Sequence, residues 1–396
     1  MLVTRILGDC LGCGGKNCFG NVSVRADYVL RGCERCKYST TVYLLEVRKK
    51  VVYLDQFFFS HAFRGCEKVF VNAAQRIQHL ASLQLLVVPF SSIHEHETHQ
   101  WRGYDGKNKV ELMEFIKTTS RGHEFKHEYN VQKTQIMRAF QAFLDGGSPE
   151  FVLDKSDAIE GNIHGWDDYY RIDIGRYIGD IELQRDLKHK AVEGLVSIFE
   201  SWRGSTNTFE QNVALEIQAM GKGYIDAYTT YLKRLASGDL SAIVDSPSIS
   251  MVVPSMLYCF SKETQTEEQI KQTIRFFASK HFAQIPYQSL TARMYAVLQD
   301  MVRNGAYSNR DNALRKLSGF YYDVKHIATY APYCDAFIMD RTMATLVGDS
   351  RVGLEDKYGV RVFSLTNWDE LLAWLDSLEA EMTEEHKTAL SAVYPS

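Results

Sequence analysis

The chain reads as an α/β protein with a parallel sheet, a long helical insertion and a small cysteine-rich module at its N-terminus. Three observations predict this. Cys10-Leu-Gly-Cys13 and Cys33-Glu-Arg-Cys36 are paired CxxC knuckles. A strand–helix–strand pattern follows them between residues 49 and 89, and a second α/β stretch comes after residue 318. Between these two stretches the apolar spacing is that of helices.

The cysteine module spans residues 1–48. A CxxC turn lets two thiolates converge on one tetrahedral ion, and two such knuckles, here nineteen residues apart, complete a closed site. Cys10, Cys13, Cys33 and Cys36 are therefore the expected ligands of one structural Zn²⁺. Asn21 to Leu30 and Ser39 to Val47 read as strands, which makes the module a zinc ribbon. So small a segment has little core of its own, and metal binding is expected to supply most of its folding free energy. Cys18 could replace one of these ligands or stay a spare thiol, and the latter is the expectation. Five of the eight cysteines fall between Cys10 and Cys36, which suits a metal site in a reducing cytosol better than a secreted disulfide framework.

In the next part, residues 49–107, Lys49 to Asp55 is a short buried-strand pattern, Lys68 to Leu80 a helix, and Leu83 to Pro89 a second strand. Strand, helix, strand at this spacing is a βαβ unit. Residues 108–318 have helical texture. Thr208-x-x-Gln211 and Thr266-x-x-Gln269 are capping boxes, and Gly146-Gly147 before Pro149 stops a helix. In residues 319–396 the α/β texture returns. Asp323 to Ala331 reads as helix, Ala336 to Met339 and Arg361 to Ser364 as strands, and Trp368 to Leu378 as a closing helix. A sheet begun before residue 90 and finished after 335 implies one domain holding the helical insertion.

Net charge of −4 and a pI near 6.3 exclude a global basic field of the kind that binds nucleic acid nonspecifically. Leu85 to Phe90 is far short of the ~20 apolar residues that span a bilayer. No apolar h-region precedes Cys10, so a cleaved signal peptide is not expected. The expectation is a cytoplasmic protein with no membrane partner.

Asp55 directly follows a hydrophobic strand, the place where open α/β sheets bind ligands, and Asp340 holds the equivalent place after Ala336-Phe-Ile-Met339. Asp323 lies seventeen residues before Asp340. Ser91 to Glu97 begins a helix past the second strand and offers Glu95 and Glu97. These two cannot share one helix face, and Glu97, three from His94, is preferred, with Glu95 as its alternative. Four carboxylates on one side of a sheet repel each other without a cation, and suit one or two Mg²⁺ or Mn²⁺ ions. Asp335 reads as ordering the turn before its strand.

These segments resemble the PIN-like nuclease family over roughly residues 50–100 and 318–380. Tyr53-Leu-Asp55-Gln-Phe is similar to its opening strand with the first acidic residue, and Ser91 to Glu97 to its glutamate-bearing helix. Asp323-Val-Lys-His-Ile-Ala-Thr-Tyr-Ala331 resembles its third acidic motif, and Phe337-Ile-Met-Asp340-Arg its fourth. Met339 stands where the fourth motif usually carries Thr or Ser, and Gln56 replaces the small polar residue after the first Asp. The resemblance implies a three-layer parallel-sheet domain in which Asp55, Glu97, Asp323 and Asp340 bind catalytic Mg²⁺ or Mn²⁺ and hydrolyse phosphodiesters. RNA is the preferred substrate over single-stranded DNA, and a toxin or defence RNase is the implied role. The competing expectation is a non-catalytic adaptor that binds nucleic acid or a protein partner, the helical insertion being a surface for the latter.

Other motifs fail. HExxH needs His at 98 or 100, which are Thr98 and Gln100, and Gly221-Lys222 lacks the remaining residues of a P-loop. Arg310, Arg315, Lys316, Lys325 and Arg341, interleaved with Tyr321, Tyr322, Tyr330 and Tyr333, offer cations for phosphates and aromatic faces for unstacked bases.

Overall fold

A computed structural model describes residues 1–167 and 181–394. Residues 168–180 of the expected insertion and residues 395–396 of the closing segment lie outside the described residues.

Strands β1 (Arg5–Gly8), β2 (Phe19–Arg25), β3 (Tyr28–Cys33) and β4 (Ser39–Tyr43) form an antiparallel sheet in that order. The single strand expected over Asn21–Leu30 is instead a hairpin, with Arg25 opposite Tyr28 across Ala26-Asp27. The two knuckles impose this. A straight run of ten residues would carry the chain about 33 Å away, whereas the hairpin brings Cys33 back opposite Phe19. Gly20 is needed for the tight approach of β1, because a Cβ there would lie 1.9 Å from the carbonyl oxygen of Arg5.

Four further strands, β5 (Lys50–Leu54), β6 (Leu86–Val87), β7 (Ala336–Ile338) and β8 (Arg361–Phe363), form a parallel sheet in the order β6-β5-β7-β8. Residues 54 and 336, far apart in sequence, belong to adjacent strands, with Leu54 paired to Ile338. The period-two alternation of β5 sends Val51 and Tyr53 to one face and Val52 and Leu54 to the other, and each face has its own core. Helices Lys68–Ser82 and Trp368–Ala380 cover the second face through Phe70, Ile77, Leu371 and Leu375. Helices Pro286–Arg303 and Phe320–Tyr330 cover the first through Leu290, Met294, Val324 and Ile327. Both faces are thus buried, the usual state of a parallel sheet.

The helical region is less separate than the sequence implies. Helix Lys109–Thr119 buries Leu112 and Ile116 in the core beside Lys68–Ser82, and Glu124 and Phe125 bridge to Phe90 and Ile159 beyond the β6 edge. Residues 109–125 therefore pack with the α/β layers, and the boundary expected at 107/108 does not separate them. Farther on, helices Glu128–Leu144, Phe209–Ala236 and Thr266–Phe277 gather around Phe140, Phe276, Phe277 and Phe282. Pro286–Arg303 joins the two bodies, since Ala292 belongs to this cluster and Leu290 and Met294 to the sheet core.

Local signals fared unevenly. The capping box of Thr208 and Gln211 is present. Thr266 does not cap its helix; Gln265 stands at that position without a side-chain bond, and the Gln269 amide donates instead to the carbonyl of Thr264. Gly146, at φ +65°, and Gly147 end Glu128–Leu144 as expected. Asp323 lies inside Phe320–Tyr330 rather than opening it. Asp335 accepts from the Val51 N–H at 2.8 Å and pairs with Lys155, and so orders the start of β7.

The cysteine module packs against helix Glu384–Val393. Val29 and Val47 meet Trp166, Ala389 and Val393, and the Asn21 amide donates to the Val393 carbonyl at 2.7 Å. Lys49, which is buried, forms an ion pair with Asp167 at the join with β5. Among the described residues no helix is long and apolar enough to cross a membrane.

Candidate functional site

In the module, the sulfurs of Cys10, Cys13, Cys33 and Cys36 lie within 4.8 Å of one another, a set that could hold a metal ion such as zinc. Backbone N–H groups of Gly12, Arg35 and Tyr38 point at Cys10, Cys33 and Cys36 at 3.3–3.4 Å. Against the effect of burial, the Arg35 N–H and the Cys18 thiol hold Cys33 down to about 6. Cys18 is buried 3.5 Å from Cys33, and burial together with that neighbour pushes its thiol up to about 11. It is thus a neutral support behind a ligand rather than a fifth thiolate. Gly15 is small for the same reason, since a Cβ there would come within 2.7 Å of the Cys18 sulfur.

The second site lies where the sheet order reverses. From β5 the chain runs outward to β6 on one side, while β7 and β8 lie on the other, so the carboxyl ends of β5 and β7 form the switch point where open α/β sheets have their binding crevice. Asp55 and Asp340 end these strands, and each caps the helix that follows. Asp55 accepts from the Gln56 N–H at 2.7 Å, and Asp340 from those of Thr342 and Met343 at 2.6 and 3.2 Å.

Glu97 is brought in by His94. Ser91 caps Ser92–Gln100 and donates its N–H to His94 Nδ1 at 3.0 Å, while His94 Nε2 donates to the Leu54 carbonyl at 2.8 Å. Burial, with His326 alongside, pushes His94 down to about 3, so it remains a neutral strut between helix and strand. One turn later, on the same face, stands Glu97. Glu95 faces elsewhere, 3.5 Å from Lys117, so the alternative to Glu97 lies outside the crevice.

Phe320–Tyr330 adds Asp323 and, one turn on, His326. Tyr53, buried on the crevice side of β5, hydrogen-bonds His326 Nδ1 and also Ser91 at 3.1 Å. His326 Nε2 is buried with no hydrogen-bond partner, 3.7 Å from the Glu97 carboxylate, near enough to act on its charge. Helix Ile181–Ser197 lays Lys188 across the opening, 3.9 Å from Glu97 and over the Tyr322 ring.

The electrostatics show that the four carboxylates share one field. Burial, then the charges of Glu97 and Asp340, raise Asp55 well above the usual carboxylate range. Burial, then Asp55, Glu97 and Asp340, do the same to Asp323. Burial also acts on Glu97, but His326 and Lys188 overcome it and hold Glu97 below its ordinary value. The negative charge therefore settles on Glu97 first.

The expected tyrosine platform is not present in full. Tyr330 and Tyr333 are buried in the sheet core and cannot stack on bases, while Tyr321 is exposed. Lys325 is taken by Glu128 at 2.9 Å. Arg315 joins Lys188, His189 and Asp311 around a cavity of about 470 Å³. Sequence reading passed over His326, although its spacing of three from Asp323 was a visible signal. It had no means of finding Lys188, which reaches the site only through the fold.

No protein-family model, curated protein or solved structure matches this chain.

Two measurements follow from these geometries. Removing metal with a strong chelator should melt the sheet of residues 5–43 and lower the far-UV strand signal, with one equivalent of zinc per chain released in step with the melting; undenatured protein lacking zinc would contradict this. The second concerns pH. Asp55 and Asp323 hold protons more tightly folded than unfolded, so their contribution to stability is complete below about pH 4 and is lost as pH rises through their folded-state values. In metal-free protein, Asp55→Asn, which keeps the helix cap, should raise Tm at pH 8 by roughly 1 °C, the equivalent of about 1 kcal/mol for a chain of this length. The gain should shrink at pH 4, and thermal melts with the same gain at both pH values would argue against raised proton affinity.

Proposed function

We propose that this chain is a metal-dependent endonuclease of the PIN-like class, whose N-terminal module is a zinc ribbon with a structural ion on Cys10, Cys13, Cys33 and Cys36. The observation that carries the reading is the placing of Asp55, Glu97, Asp323 and Asp340 at the reversal point of a parallel sheet, where burial first, and then one another's charges, raise the proton affinity of Asp55 and Asp323. An all-oxygen donor set under such repulsion fits Mg²⁺ or Mn²⁺. No three of these oxygens form a group within 4.8 Å among the described residues. They thus suit Mg²⁺ held through one or two carboxylates with water completing the shell.

The bound ion would supply Lewis-acid polarisation of a phosphate and lower the pKa of water. The chain's own groups do the remainder. Asp55 and Asp340, fixed as helix caps, hold their carboxylates on the crevice, while Lys188 offsets phosphate charge. His326 Nε2, buried with no hydrogen-bond partner and 3.7 Å from Glu97, is placed to steady the charge of that carboxylate. Asp55 is only 8% exposed, which favours a flexible single strand over a duplex. RNA as the preferred strand, a cytoplasmic setting and a toxin or defence role rest on the family resemblance alone.

A second reading, a non-catalytic adaptor that binds nucleic acid or a protein partner, is favoured by one observation: Lys188 and His326 already compensate Glu97. One assay decides between them. Wild type should cleave RNA or single-stranded DNA with Mn²⁺, Asp55→Asn and Asp340→Asn should lose roughly 100-fold or more, and Lys188→Ala about tenfold. Binding without cleavage by wild type, or equal cleavage by Asp55→Asn, would leave the adaptor.

A further inference from the structure

We propose that His96, His127 and Glu128 form a separate site for one transition-metal ion, with Zn²⁺ as the best match. The site stands on its own geometry and does not depend on nuclease activity. His96 comes from helix Ser92–Gln100, next to Glu97 but about a quarter-turn round from it. His127 and Glu128 open helix Glu128–Leu144, His127 as its N-cap. One donor atom from each of the three lies within 4.8 Å of the others, and His127 Nδ1 is 3.4 Å from Glu128 Oε2. Among the described residues this is the only such group besides the cysteine quartet.

The chemistry of the set is specific. Two borderline imidazoles with one hard carboxylate suit Zn²⁺, Co²⁺ or Ni²⁺, unlike the all-oxygen crevice nearby. Three protein ligands leave a fourth position for water or another ligand. Glu128 is 6% exposed and its orientation is fixed by Lys325 on Oε1 at 2.9 Å and by the Ser92 hydroxyl, which donates to Oε2, the oxygen facing His127. Such partners orient first-shell ligands in metal sites. His127 is exposed, which gives an ion a way in. The histidine-rich string fails as HExxH because its partner ligands are not four residues away; they come from the start of another helix, about thirty residues on.

The competing explanation is a buried Lys325–Glu128 ion pair with two histidines beside it. Zinc content of the full chain separates the two after equilibrium dialysis against micromolar Zn²⁺ in millimolar Mg²⁺. Wild type and Asp55→Asn should each retain one zinc more per chain than His96→Ala or His127→Asn. The latter puts an amide oxygen where His127 Nδ1 accepts the Tyr129 N–H, so the helix cap survives and the site is tested even if His96→Ala folds poorly. Equal zinc in wild type and His127→Asn would overturn the proposal.

Discussion

Carboxylates at the ends of adjacent parallel strands cannot move apart without unpairing the sheet, and this constraint governs the crevice. Asp55 and Asp340 are fixed twice, by the pairing of Leu54 with Ile338 and by the helix N-termini they cap. Two further acids arrive on helices that cover the same edge, so their charges meet in a largely enclosed space. The backbone N–H groups of the caps and Lys188 return only part of what the carboxylates lose in solvation. Much of the surrounding architecture is arranged to limit the loss: neutral His94 ties a helix to β5, and Tyr53 turns His326 toward Glu97. A divalent cation is the simplest species to complete the balance.

The helical region is coupled to this crevice in two ways. Pro286–Arg303 contributes side chains to the sheet core and to the Phe140 cluster, so the two cores share a wall. Ile181–Ser197 supplies Lys188, whose ammonium group lies 3.9 Å from Glu97. Removing the region would expose an apolar sheet face and strip the crevice of its counter-charge. It is therefore part of the site's construction rather than an appendage to it.

The cysteine module is held differently. Its own apolar contacts are few, and its sulfurs occupy the place a hydrophobic core would otherwise fill. Its outer surface gains from packing on Trp166 and the last helix, with Asn21 and Arg31 bonded to that helix's terminal carbonyls. The first and last segments of the chain thus meet.

Features that depend on neighbours in sequence were legible: the CxxC knuckles, the apolar strands that end in Asp55 and Asp340, the cap at Thr208 and the stop at Gly146. So was the placing of Glu97 on the face of His94, because spacing of three or four along a helix defines a face. The hairpin over Asn21–Leu30 was hidden, since its turn carries no glycine or proline and only closure of the cysteine quartet requires it. Tyr330 and Tyr333, which look like stacking surfaces in sequence, are core residues because their helix lies on the sheet. The sequence by itself determined which residues could carry charge or bind metal and where strands end. Only the tertiary structure decided which of them share a dielectric cavity, as with Lys188 and His326, because electrostatic coupling depends on distance and burial and not on separation along the chain.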